Sequence, residues 1–142
     1  MARESTDEAR QALGALIDGR SDHQIVDGVL QRGVESVLDQ VFTGMTEAFL
    51  AEKAGSQSAV IQYDILVGGE TYTYQLKIAD GTCAMVRGTP DRARTTLVAP
   101  VPDFLRLITG KLGGMMPFMT GRLKIRGDML FAQTMQGWFR QG

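Results

Sequence analysis

The stretch from residue 59 to residue 99 narrows the fold most, because its apolar side chains fall at every second position. Ile61, Tyr63 and Ile65 alternate with Gln62 and Asp64. After Gly68-Gly69, Tyr72, Tyr74, Leu76 and Ile78 alternate with Thr73, Gln75 and Lys77. A period of two sends successive side chains to opposite faces of a strand. Gly68-Gly69 and the following Asp80-Gly81 both suit two-residue hairpin turns. A third strand is predicted over residues 82–87, ending at Gly88-Thr89-Pro90, and a fourth over residues 94–99, ending at Pro100. Hairpins in this order predict an antiparallel meander with one polar and one apolar face.

Before the strands the period is that of a helix. Ile25/Val26, Val29/Leu30, Val34, Val37/Leu38, Val41/Phe42, Met45 and Phe49/Leu50 form a wide apolar stripe. Ser21 or Asp22 is placed to cap its start and Gly55 to stop it. Gly28, Gly33 and Gly44 each cost a helix about 1 kcal/mol relative to Ala, so a bend or break is expected near one of them. Residues 1–21 read as a polar lead-in with a helical piece over residues 8–17.

After the strands, Phe104, Leu105, Leu107 and Ile108 make a short amphipathic helix, with Pro102 in its first turn and Gly110 at its end. The apolar run Met115-Met116-Pro117-Phe118-Met119 follows. Then comes a strand over residues 122–126, with Leu123 and Ile125 on one face and three basic residues on the other. A last helix is predicted from Asp128 to Arg140. Phe131, Ala132, Met135, Trp138 and Phe139 share one arc of it, opposite Gln133, Thr134, Gln136 and Gly137. Helices on an antiparallel sheet define an α+β layer fold.

Little in the chain suggests catalysis. His23, the single histidine, lies outside any apolar cleft and reads as a solvated surface residue. No His, Cys, Asp or Glu cluster has metal-ligand spacing, and no Gly-rich phosphate loop joins a strand to a helix. No catalytic residue, metal or cofactor is therefore expected. Eleven Arg and four Lys are scattered singly in a chain of net charge −1, which argues against a nucleic-acid partner. Cys83, the single cysteine, reads as a small half-buried hydrophobe. The polar N-terminus MARESTDEAR has no signal-peptide core, and no window is apolar enough to span a bilayer. A cytoplasmic location is expected, with at most transient membrane contact.

The C-terminal block carries a resemblance. "GRLKIRGDM" (residues 121–129), preceded by "DFLRLITGKL" and "MMPFM", resembles the sterol carrier protein-2 (non-specific lipid-transfer protein) family, in which Gly-Lys-Leu-Lys-Ile-x-Gly-Asn/Asp-Met leads into the last helix. Upstream, "IADGTCAMVRGTPDRARTTLVAPVPDFLRLITGK" follows the family's order of strand, turn, strand and helix. The resemblance implies a five-stranded, mostly antiparallel sheet covered by helices around an apolar tunnel; the extra N-terminal helix lies beyond the family's usual start. It implies a tunnel ligand such as a fatty acid, fatty acyl-CoA or sterol, carried or presented. Phe104, Leu105, Ile108, Met115, Met116, Phe118, Met119, Phe131, Met135 and Trp138 are the candidate ligand-binding residues. Unbranched methionines adapt to ligands of different shape, although plain core packing explains the same residues.

The family-like domain is placed at residues 35–142, behind a helical extension at residues 1–34. Ile25, Val29, Val34 and Val37 would leave an exposed stripe there, so a homodimer or protein partner is expected to cover it. The chain closes on Trp138-Phe139-Arg140-Gln141-Gly142 without a Ser-Lys-Leu-like tripeptide, an expectation against a peroxisomal carrier. The alternative function is an accessory or catalytic subunit of a lipid, steroid or polyketide pathway that holds substrate in the same cavity.

Overall fold

Residues 13–109 and 123–140 are described by a computed structural model of the chain. A helical turn at residues 13–17 leads to α1 (Asp22–Arg32). Ser21 opens α1 with a reciprocal cap: its hydroxyl accepts from the Gln24 amide, and the Gln24 side chain accepts from the Ser21 amide. Gly33 ends it at φ +93°, a conformation that side-chain-bearing residues rarely hold. α2 (Val34–Glu47) restarts at once. Gly55 closes not the long helix but a separate single turn, α3 (Ala51–Ala54).

That break folds the apolar stripe inward. Ile25 and Val29 are fully buried and Val34 and Val37 are buried, in one core with Leu16 and Ile17. The expected exposed stripe is therefore corrected, because the chain covers these four residues itself. α1 packs against α2 and against α4 (Val101–Ile108). Arg106 of α4 fastens this contact, donating to Asp22 and, at 3.2 Å, to the Arg20 carbonyl.

The sheet comprises β1 (Ala59–Val67), β2 (Glu70–Ala79), β3 (Thr82–Arg87), β4 (Thr95–Pro100) and β5 (Lys124–Gly127), in the order β3-β2-β1-β4-β5. The two hairpins form as expected, with Tyr63 opposite Tyr74 and Leu76 opposite Met85. The fourth strand corrects the meander. β4 lies beside β1 in parallel, with Tyr63 opposite Leu97 and Ile65 opposite Ala99. β5 pairs antiparallel to β4 at the sheet edge.

Residues 88–94 make the crossing from β3 to the far side of β1. Gly88 N–H donates to the Thr73 carbonyl at 2.8 Å, and Arg94 N–H to the Val60 carbonyl at 2.8 Å. Between them the Gln75 amide clasps the backbone of Asp91, donating to its carbonyl at 2.7 Å and accepting from its N–H at 3.3 Å. Gln75 is thereby fully buried although it sits at an outward position of β2.

α4 ends at Ile108 with Thr109 as its cap, and Gly110, expected at its end, lies outside the described residues. α5 (Met129–Gln136) is capped by Asp128, whose carboxylate accepts from the Phe131 amide at 2.9 Å. The helix expected to reach Arg140 stops at Gln136. Trp138 and Phe139 leave it to lie against the end of α2. Leu50 N–H donates to the Trp138 carbonyl at 2.6 Å, and Arg140 N–H to the Ala48 carbonyl at 2.8 Å. These cross-chain bonds satisfy backbone groups that another helical turn would have used.

Candidate functional site

The inner face of the sheet and the helices above it enclose one apolar core, and aromatic rings fill its middle. Phe42 of α2 has no exposed surface. Its ring stacks on Tyr74 at 4.5 Å and on Phe104 at 5.4 Å, and meets Tyr63 edge-on at 5.1 Å. Four elements supply these rings: α2, β1, β2 and α4. Such pairs contribute roughly 0.5–1.5 kcal/mol each beyond their area burial. Burial pushes the Tyr63 and Tyr74 phenols far above their ordinary range, with Cys83 and Asp39 adding to the respective shifts. Both therefore stay protonated at neutral pH. The half-buried Cys83 thiol is pushed up to about 12 by burial and stays uncharged too.

At the rim of this cluster a polar group ties α2 to β2 and β3. The Tyr74 hydroxyl donates to Asp39 at 2.8 Å. Arg87 forks onto both oxygens of Asp39, its Nε at 2.9 Å, and reaches Glu35 at 2.6 Å. The Arg87 hydrogen bond, assisted by Tyr74, holds the Asp39 carboxyl below the usual carboxylate range against the opposing effect of burial. Asp39 is thus committed to an ion pair and is a poor general base. Sequence reading missed this group because its bonds link residues 35 to 52 positions apart.

A second cluster sits where α5 meets the sheet. Phe131 and Trp138 meet edge-on at 5.3 Å. The Arg94 guanidinium lies 4.1 Å from the centre of the Phe131 ring and donates to Asp128 at 3.2 Å. The bond from the Phe131 amide, then Arg94, holds the Asp128 carboxyl below its ordinary value. Met135 is buried beside them, and Phe139 packs on Phe49 at 5.7 Å.

The candidate ligand-binding residues divide between these clusters. Phe104 and Leu105 are fully buried and Ile108 packs against the same core, while Phe131, Met135 and Trp138 join it from α5 and beyond. The structure puts Phe131 against Trp138, and Phe104 against Phe42 and Tyr63 instead. Met115, Met116, Phe118 and Met119 lie outside the described residues. His23 is 87% exposed, 3.4 Å from Asp27. Among the described residues no group of three or more His, Cys, Asp or Glu is placed to hold a metal, and no helix is long and apolar enough to cross a membrane.

Known proteins share this fold. The profile of the SCP-2 sterol transfer family matches residues 38–140. The oleate-induced peroxisomal protein POX18 of Candida maltosa is 30% identical over 117 residues, 82% of this chain and 91% of that protein. Hydroxysteroid dehydrogenase-like protein 2 of Xenopus tropicalis is 32% identical over 95 residues, 66% of this chain, but the match spans only 22% of that longer protein. The solved apo form of sterol carrier protein 2 from Yarrowia lipolytica superposes with a TM-score of 0.53 at 26% identity, covering 61% of this chain and 70% of the other.

Proposed function

The chain belongs to the SCP-2 sterol transfer family, and from that premise we propose that it binds an apolar, lipid-like ligand in an internal tunnel between sheet and helices. The ligand class is a fatty acid, fatty acyl-CoA, sterol or molecule of similar shape, which the protein carries or presents. The observation that carries this reading is the family match itself, because residues 38–140 contain both aromatic clusters. The chemistry of the core agrees with it. Phenols and thiol held uncharged give an apolar molecule neutral walls. Asp39 is occupied by Arg87 and His23 stands at the surface, which favours carriage over catalysis.

In the same proposal Phe104, Leu105, Ile108, Phe131, Met135 and Trp138 border the ligand, and Met115, Met116, Phe118 and Met119 supply its adaptable wall. Residues 1–34 extend the domain at residues 35–142. The family match beginning at residue 38 supports that division, and the burial of Ile25 and Val29 makes the extension part of the same core. Carriage is proposed to take place in the cytoplasm, and fractionation of cells making the protein tests that address.

Displacement of a fluorescent fatty acid by palmitate tests ligand binding. The wild-type chain should bind the probe and release it to palmitate. Met119→Asp should weaken binding by roughly tenfold or more, because an unpaired charge would face the acyl chain. Met119→Leu keeps volume and apolarity and should stay within a few-fold. A wild-type chain that binds no probe would overturn lipid carriage. Equal binding by the Asp variant would remove the methionine segment from the tunnel.

A further inference from the structure

Where β5 runs into the first turn of α5, exposed cations on the strand are followed within a few residues by exposed apolar residues on the helix. Leu130 is 78% exposed and Met129 55%, the two most exposed large hydrophobics among the described residues. Lys124 and Arg126, just before them on the edge strand, are exposed as well, and neither forms an ion pair among the described residues. Asp128, the acid between the two pairs, is taken by Arg94. The wider sequence is biased in the same sense. From Phe104 onward it carries Arg106, Lys111, Arg122, Lys124, Arg126 and Arg140 against one acid, Asp128, although the whole chain has a net charge of −1.

Apolar side chains beside unpaired cations match a surface with an acyl interior and anionic headgroups. A folded protein partner fits less well. A stable protein interface needs on the order of 800 Å² per partner, far more than two apolar side chains and two cations present. We infer that this junction is the face by which the protein docks on a bilayer containing anionic lipid. Met129 and Leu130 enter the boundary between headgroups and acyl chains, while Lys124 and Arg126 meet lipid phosphates. The inference rests on the proposed carriage for its purpose, since a carrier must meet the membranes that load it. Its test does not depend on that reading.

The test is co-sedimentation of the full chain with two kinds of vesicle: phosphatidylcholine alone, and phosphatidylcholine mixed with phosphatidylglycerol. The wild type should partition onto the mixed vesicles, and added salt should weaken that partition. Lys124→Gln with Arg126→Gln should lower it by roughly 25-fold, since each basic residue near an anionic leaflet is worth about fivefold. Met129→Ser with Leu130→Ser should lower it by roughly a hundredfold. All four residues are exposed, so both variants should melt with the wild type and still bind fluorescent fatty acid in vesicle-free solution. Unchanged partition by either double variant would overturn the assignment in favour of another face. A wild type that ignores both vesicles would overturn it too and leave the junction to a protein partner. Failure of the wild type to bind fatty acid, with vesicle docking intact, would refute carriage and not docking.

Discussion

Tyr74→Phe removes one oxygen from the rim of the aromatic cluster and leaves the ring in place. In the wild type that hydroxyl donates to Asp39 at 2.8 Å, from a residue only 2% exposed. A hydrogen bond to a charged partner is worth roughly 1.5–3 kcal/mol when buried. Here the acceptor side chain is 32% exposed and keeps Arg87, so water and the guanidinium recover part of the loss. A cost of about 1 kcal/mol is expected at neutral pH, a fall in Tm of roughly 2–6 °C for a domain of this size. Circular dichroism melts and urea midpoints read it directly.

The pH dependence carries the sharper test. Asp39 has a lowered carboxyl pKa in the folded chain. Its stabilising contribution is therefore complete above the unfolded value of about 4 and is lost as pH falls through the lower folded value. The gap between wild type and Tyr74→Phe should hold from neutral pH down to about 4 and narrow below it. A variant as stable as wild type at neutral pH, or a gap that ignores acid, would show that Tyr74 is not bonded to ionised Asp39.

Three further outcomes follow from the packing. Gly127→Ala should lower the urea midpoint by the equivalent of more than about 2 kcal/mol, because Gly127 sits at φ +88° and a Cβ there would lie 2.6 Å from the Arg94 carbonyl oxygen. Truncation after Gln133 removes buried Met135, Trp138 and Phe139, and should leave a chain that melts broadly or loses fluorescent fatty acid. A truncated chain with the wild-type melt and affinity would contradict their place in the core. Cys83, its thiol pushed up to about 12, should react with a thiol reagent far more slowly in the folded protein than in denaturant, and equal rates would place it in solvent.

Much of the architecture was legible because it rests on local periods. The alternation at Ile61–Ile65 and Tyr72–Ile78 and the glycine turns define the two hairpins, as the structure has them. The position of β4 was not legible, since parallel pairing is set by contacts far apart in the chain. Its one local trace, Gln75 at an outward strand position, looks like any surface glutamine until Asp91 closes over it. The helix break shows the same limit. Gly28, Gly33 and Gly44 read alike, yet Gly33 alone turns the chain, while Gly28 gives Leu16 room, a Cβ there falling 2.6 Å from its Cδ1.

An apolar stripe likewise cannot say whether its cover comes from its own chain, and Ile25 and Val29 were misread for that reason. At the candidate site, the apolar character of Phe104, Phe131 and Trp138 was plain. Their partition between a cluster at Phe42 and one at Arg94 was not, because helix periodicity carried Trp138 along α5 past its actual end at Gln136.

The strap formed by residues 138–140 on residues 48–50 also has a consequence for biosynthesis. A ribosome releases α2 and both tyrosine strands long before Trp138 and Arg140 exist to meet Leu50 and Ala48. Arg106 must likewise reach back to Asp22, 84 positions earlier. Closures this distant slow folding and lengthen the life of incomplete states. Through that interval the nascent chain shows the apolar faces of α2 and β1 to whatever is nearby. The arrival of residues 138–140 therefore sets how long the segment at residues 48–50 waits for its partner.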